Sequence, residues 1–267
     1  MDKYGGLVKR LVILCLYILL TVPLGAYNVF VEQDKKGFQL LVDNNPFLVK
    51  SVHWEYLPHG SVPSYYFWGS DDTFIKDVLD YQMPLLSGMG INAICLQAGV
   101  PARWISYIYE TYGIYSVIQY VLDDVDFSNK ETLADVIEAI HFQALSYQES
   151  VGFLYLLLGN DEVFRQESGN LMPYQVTTEK LVEIKVRKVY PFYGDAIDAL
   201  DEAGFGFPIA VVGLPFAHLD LINQYCPNAD IVSVSLYHAN YFTKFLENVN
   251  DRLGMPVFFH GIGADSH

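Results

Sequence analysis

Residues 151–161, VGFLYLLLGND, stay apolar for almost eight positions and then turn polar within two. A strand of this character has no face to offer water, so it belongs to a sheet covered on both sides. Six other apolar runs share the pattern: 47–53, 91–99, 114–122, 207–215, 230–238 and 256–263. Between them the spacing is helical, over 74–90, 102–113, 129–150, 177–204, 218–226 and 243–254, with a break expected at Pro191. Gly90 and Gly113 are natural stops, and Ser128 or Asn129 is available as a cap. The segment 163–176 reads as a loop.

Apolar strands that alternate with helices predict a parallel sheet with helices on its faces. The fold class expected is α/β, a (β/α)8 TIM-barrel-like domain whose eighth strand is not seen in the sequence. A β-hairpin with its turn at Asp43-Asn44-Asn45-Pro46 leads into it. A doubly wound open sheet is the alternative, but no Gly-rich dinucleotide fingerprint follows the first strand.

The first 26 residues stand apart. Lys3, Lys9 and Arg10 precede the apolar run Leu11 to Leu20, Pro23 breaks it, and Gly25 and Ala26 follow. That order is the one of a secretory signal. The run is short for a membrane span, which needs about 20 residues. Residues 1–26 are therefore read as a signal, with an uncleaved anchor as the alternative, and 27–267 as an exported barrel domain. The formal charge is −15, which argues against nucleic acid and anionic lipid as partners. Neutral or cationic ligands fit, as does a simply solvated acidic surface. Cys95 and Cys226 remain after the signal; an exported domain permits a disulfide, and the apolar setting of Cys95 favours two buried thiols. The 17 Phe, 20 Tyr and 3 Trp are enough for a large core and for stacking on sugar rings.

The segments GFQLLVDNNPFLVKSVHW, MGINAICLQAGVPARWISYIYETYGIY, LYLLLGNDEVF and PVFFHGIGADS resemble the catalytic barrel of glycoside hydrolase family 2 and its retaining-glycosidase relatives, over roughly 38–265. The resemblance implies hydrolysis of O-glycosyl bonds by two glutamates. One follows a Gly-Asn pair as general acid/base, and the other stands two residues before a closing Gly-Ala-Asp as nucleophile. Retention needs the two about 5–5.5 Å apart. In this sequence the acid/base position is Asp161, with Glu162 beside it, and the nucleophile position is Gly261. Asn160 and Tyr237 match the residues that bond a sugar hydroxyl and support the nucleophile. The family's second-strand arginine is Cys95 here, and its sixth-strand asparagine is Ser235.

A glycine cannot form a covalent glycosyl intermediate, so the retaining route as written cannot run. The expectation is an exported barrel of impaired catalysis that at most binds carbohydrate. One alternative is an active hydrolase or transglycosylase using Asp161 or Glu162 as acid; another is a truncated product without function. Trp54 and Glu55 end the first strand and are candidates for sugar contact, packing being the other role open to Trp54. His260 neighbours Gly261, and strict alternation turns it to the other side of the strand. Tyr107, Tyr109, Tyr112, Tyr115, Arg103 and Trp104 are assigned structural roles. Asp123, Asp124 and Asp126 lack the spacing of a calcium loop, and the seven histidines form no zinc motif. No metal and no cofactor is expected, and the oligomeric state is left open.

Overall fold

A computed structural model describes residues 27–35, 37–60, 65–122, 125–165, 178–214, 218–236 and 252–262, together with Thr243, Phe245 and Val249. The signal-like segment 1–26, Asp123, Asp124, Tyr237 and Asp265 lie outside the described residues.

Two sheets organise the chain. Strands β1 (Val29–Asp34), β2 (Gly37–Val42) and β3 (Asn45–Pro46) form a small antiparallel sheet in that order. Strands β4 (Ser51–His53), β5 (Ala93–Gln97), β6 (Tyr115–Tyr120), β7 (Phe153–Leu158), β8 (Ile209–Val212), β9 (Ile231–Leu236) and β10 (Val257–Ile262) form a seven-stranded parallel sheet in sequence order. The sheet curls into a nearly closed barrel, because the rings of His53 on β4 and His260 on β10, at opposite edges, come within 6.5 Å. Every residue of β7 is buried, as its composition requires.

The turn before β3 is tighter than expected. Asp43 and Asn44 both take left-handed backbone, at φ 49 and 63, which is what a two-residue hairpin demands and what Asx residues tolerate. Asn45 and Pro46 thus already pair with β2. The strand expected over 47–53 is split: its start bonds to the small sheet, Phe47 N donating to Leu40 O at 2.8 Å, and only Ser51–His53 pairs in the barrel. Asn92 secures the crossing: its Oδ1 accepts from Lys50 N at 2.8 Å and its Nδ2 donates to Leu48 O at 2.8 Å. Tyr27 Oη donates to Phe153 O at 2.7 Å, which fixes the small sheet under the N-terminal ends of the strands.

Six helices have defined bounds among the described residues: α1 (Asp72–Gly88), α2 (Ala102–Tyr112), α3 (Lys130–Tyr147), α4 (Glu162–Arg165), α5 (Thr178–Glu202) and α6 (Leu219–Tyr225). Asp71 caps α1 by accepting from Thr73 N, and Asn129 caps α3 by accepting from Glu131 N and Thr132 N. Gly113 ends α2 in left-handed conformation. The break expected at Pro191 does not occur, and α5 runs through it. A mid-helix proline costs about 3 kcal/mol. Val189, Tyr190, Phe192 and Tyr193 around it are each at most 2% exposed, and burial of such side chains returns about 1.5–3 kcal/mol apiece. Packing therefore outweighs the missing hydrogen bond.

Cys95 and Cys226 are both buried free thiols, and burial pushes each up to about 12. Among the described residues no helix is long and apolar enough to cross a membrane. A domain starting at Tyr27 is expected to resist an aromatic disulfide reagent until denatured, and then to release two equivalents; its melting temperature should not respond to reductant. Rapid labelling of the native chain, or a reductant-sensitive melt, would contradict the thiol assignment.

Candidate active site

The strands end at a common face, and the residues there are set by β7 and β10. Gly159, just past β7, has φ 88, and a Cβ at this point would collide with the Tyr193 hydroxyl. Only glycine satisfies both conditions. Its N–H donates to Tyr120 O at 2.8 Å, and its carbonyl accepts from the buried Gln119 Nε2 at 2.8 Å. The turn that follows is held from both sides and presents Asn160 and Asp161.

Asp161 turns inward. Its Oδ1 lies 3.6 Å from His260 Nε2, and the two side chains are only 18% and 10% exposed. His260 is held in turn by β9, its Nδ1 lying 3.1 Å from Ser233 Oγ and its Nε2 2.9 Å from Ser235 Oγ. A neutral imidazole has one donor and one acceptor, and each hydroxyl can play either role, so both bonds form without a charge.

This corrects the expectation that His260 faces away. The pairing of β10 with β9 slips by one residue: Phe259 is opposite Val234, while Gly261 is opposite Ser235, leaving His260 as the extra residue. Counted from Phe258, which faces Tyr155, alternation turns Phe259 outward and His260 inward; what the bulge re-aims is Gly261, set opposite Ser235. His260 thus shares the barrel interior with the position of Gly261, which has no side chain to compete for the space. Phe258 points inward too, edge-on to Tyr155 at 6.0 Å, while Phe259 packs on Phe245 at 5.8 Å.

His53 approaches the cluster from the other edge, its ring centre 6.5 Å from that of His260. Its pKa is lowered below the ordinary 6.5, first by burial of the ring and then by the neighbouring His260. The nearby His260 backbone and Asp161 act in the opposite direction.

The other predicted site residues divide. The Oδ1 of Asn160 is buried with no hydrogen-bond partner among the described residues, as expected of a group that awaits a donor. Glu162 opens α4 on the exposed side of the turn and does not share Asp161's burial. Trp54 and Glu55 line a cavity of about 450 Å³ at the mouth, together with Tyr65, Tyr66, Gln97 and Gln119. Trp54 is 9% exposed and spends its Nε1–H on Gln82 Oε1 at 2.7 Å, so it is both a packed core residue and a wall of this cavity. Glu55 is exposed. Asp126 caps a turn, its Oδ1 accepting from Ser128 N at 2.9 Å. Tyr109 and Tyr115 pack at 4.7 Å, Tyr107 and Tyr112 at 6.0 Å, and Arg103 pairs with Asp72 at 2.7 Å. Among the described residues no group of three or more His, Cys, Asp or Glu could hold a metal ion.

The residue missed from sequence was His260, and with it Ser233 as its partner. The polar pair Ser233 and Ser235 at alternate positions of an otherwise apolar buried strand was the available signal, since such hydroxyls need a partner inside.

No model of a known protein family matches the chain, and no curated protein matches it in sequence. Solved structures do match. A GH2 β-galacturonidase from Eisenbergiella tayi, bound to galacturonate, superposes with a TM-score of 0.62 at 11% identity over 89% of this chain and 38% of its own. The chain has a GH2-like TIM-barrel fold. A β-glucuronidase from Bacteroides uniformis gives 0.60 at 11% identity, over 86% and 26%. A β-D-glucuronidase from Dictyoglomus thermophilum gives 0.58 at 14%, over 90% and 40%. The chain spans about a quarter to two fifths of the length of these GH2-type proteins.

Two outcomes follow from the site's construction. Gly159→Ala combines left-handed strain with a collision in a packed interior, and should cost about 2–4 kcal/mol, read as a large fall in melting temperature; an unchanged melt would show that the turn is not held as described. For His53, the folded pKa lies below the ordinary 6.5, so the unfolded chain takes up its proton first. Stability is then full above about pH 6.5 and is lost as pH falls toward the folded value. Between about pH 7 and pH 5 the wild type should lose more melting temperature than His53→Gln. An equal loss in both would contradict this.

Proposed function

We propose that this protein is a glycosidase-like barrel that binds neutral carbohydrate at its mouth and does not run the retaining double displacement. The observation that carries the reading is the partner of Asp161: His260 stands 3.6 Å away, in a barrel whose nucleophile position is Gly261. A retaining pair requires two carboxyl groups about 5–5.5 Å apart, and the pair found here is a carboxylate and an imidazole.

Binding is supported by the parts that remain. Asn160 Oδ1, without a partner among the described residues, is an acceptor that a sugar hydroxyl would suit. The mouth combines aromatic walls with Gln97, Gln119 and Glu55, the mixture that sugar rings favour, with apolar faces and hydroxyl edges. The comparison structures are named for glucuronidase and galacturonidase activity. A uronate carboxylate calls for a cation, and the described lining of this mouth includes neither Lys nor Arg. With Glu55 in that lining and a charge of −15, neutral sugars are favoured over uronates. The signal-like segment 1–26 supports export under the same proposal.

The test is a panel of neutral sugars and uronates, read by Trp fluorescence and calorimetry, run beside aryl glycosides. Neutral sugars should bind and quench, uronates should bind more weakly, and aryl glycosides should not be turned over. Asp161→Asn should change sugar affinity by about threefold to tenfold without unfolding the domain. Turnover of an aryl glycoside that disappears in Asp161→Asn would overturn the non-catalytic reading, and silence across the whole panel would overturn binding.

A further inference from the structure

The mouth cavity, of about 450 Å³, is walled by rings that follow β4: Trp54, Tyr56, Tyr65, Tyr66, Phe67 and Trp68. The polar atoms of three of them are committed elsewhere. Trp54 Nε1–H donates to Gln82 Oε1 at 2.7 Å, Tyr66 Oη donates to Gly99 O at 2.6 Å, and Tyr65 Oη bonds Ser70 Oγ at 2.9 Å. What these three walls have left to offer is ring surface, and the face of an aromatic ring is electron-rich. Tyr66 is the most exposed of the six, at 54%.

The polar lining has the same sign. Glu55 is exposed and has no ion partner among the described residues. Gln119 spends its Nε2 on Gly159 O at 2.8 Å, which leaves its Oε1, 3.8 Å from Cys95 Sγ, as an acceptor. His53, its pKa lowered first by burial, is neutral at pH 7 and adds no cation. In sequence, the segments that follow strand ends, 54–71, 98–101, 121–129, 159–161 and 213–218, carry Glu55, Asp71, Asp123, Asp124, Asp126 and Asp161 and no Lys or Arg. Arg103, just beyond the second of them, already pairs with Asp72 at 2.7 Å. Electron-rich ring faces and a carboxylate without a counter-ion, around one cavity, fit a positive charge that is spread over carbon.

We infer that the mouth holds a subsite for an organic ammonium group, with the aromatic walls against its carbon-borne surface and Glu55 as its counter-charge. This rests on the reading of the mouth as a ligand site and adds the charge that the site selects. An amino sugar and a free small cation both carry the group, and the experiment separates them. Cation–π contact and a facing carboxylate together should raise affinity about tenfold over a neutral counterpart.

The experiment titrates the full domain at pH 7 with glucose and galactose, with their 2-amino and 2-acetamido counterparts, and with tetramethylammonium. Binding is read by Trp fluorescence and calorimetry. Each amino sugar should bind about tenfold more tightly than both of its neutral counterparts, and tetramethylammonium should compete with it. Glu55→Gln and Tyr66→Leu, both at exposed positions, should each bring that ratio down to about threefold or less without unfolding the domain. Amino and neutral sugars binding equally would overturn the ammonium subsite and leave the sugar reading intact. A preference for amino sugars that survives both variants would overturn its placement at Glu55 and Tyr66. Tetramethylammonium that neither binds nor competes would overturn the part given to the ring faces. Tetramethylammonium binding that both variants weaken, with every sugar inert, would retain the subsite, assign it to a free cation and remove the sugar reading. Silence with every ligand would overturn both.

Discussion

The centre of this barrel is one imidazole held by two hydroxyls and faced by a carboxylate. His260 lies between Ser233 and Ser235 at 3.1 and 2.9 Å, with Asp161 at 3.6 Å. The cluster draws on β7, β9 and β10, and His53 brings β4 within 6.5 Å of it, ring centre to ring centre. It joins the two ends of a sheet that has no continuous ladder across its seam. The same contact determines the chemistry of the site, because the ring occupies the interior space beside Gly261.

That substitution of partners changes what the site can do. Two carboxylates across a scissile bond divide the labour of acid and nucleophile. An Asp–His pair can hold or pass a proton and can bond hydroxyls, but the imidazole here is already engaged by two serines and partly shielded. The fold is shared with much longer enzymes at 11–14% identity, a level at which the scaffold is common property and activity must be argued from the residues.

Much of the scaffold was legible in the residues. Strands buried on both faces, such as Phe153–Leu158, can be recognised by unbroken apolarity, and the caps at Asp71, Asn129 and Gly113 mark their helices by side-chain chemistry and backbone freedom. The misreadings have particular causes. Pro191 suggested a break by its local cost, and the burial of four neighbouring side chains overrode it. The run 47–53 suggested one strand, but its start is claimed by the antiparallel sheet. Asp161 could be placed from the Gly-Asn that precedes it. Alternation counted back from Gly261 misplaces His260, because the one-residue bulge between Phe259 and Gly261 breaks that count, whereas counting forward from Phe258 turns it inward. Only the paired serines of β9, polar at two buried positions on one face, hinted that something on the next strand had to meet them.

A crystal structure of the domain at a resolution that defines side chains is the most direct test of this account. It should show the bulge between Phe259 and Gly261, with the His260 ring bonded to Ser233 and Ser235 and turned toward Asp161. A carboxylate from any part of the chain in that place, about 5 Å from Asp161, with His260 facing outward, would contradict it and restore a retaining catalytic pair.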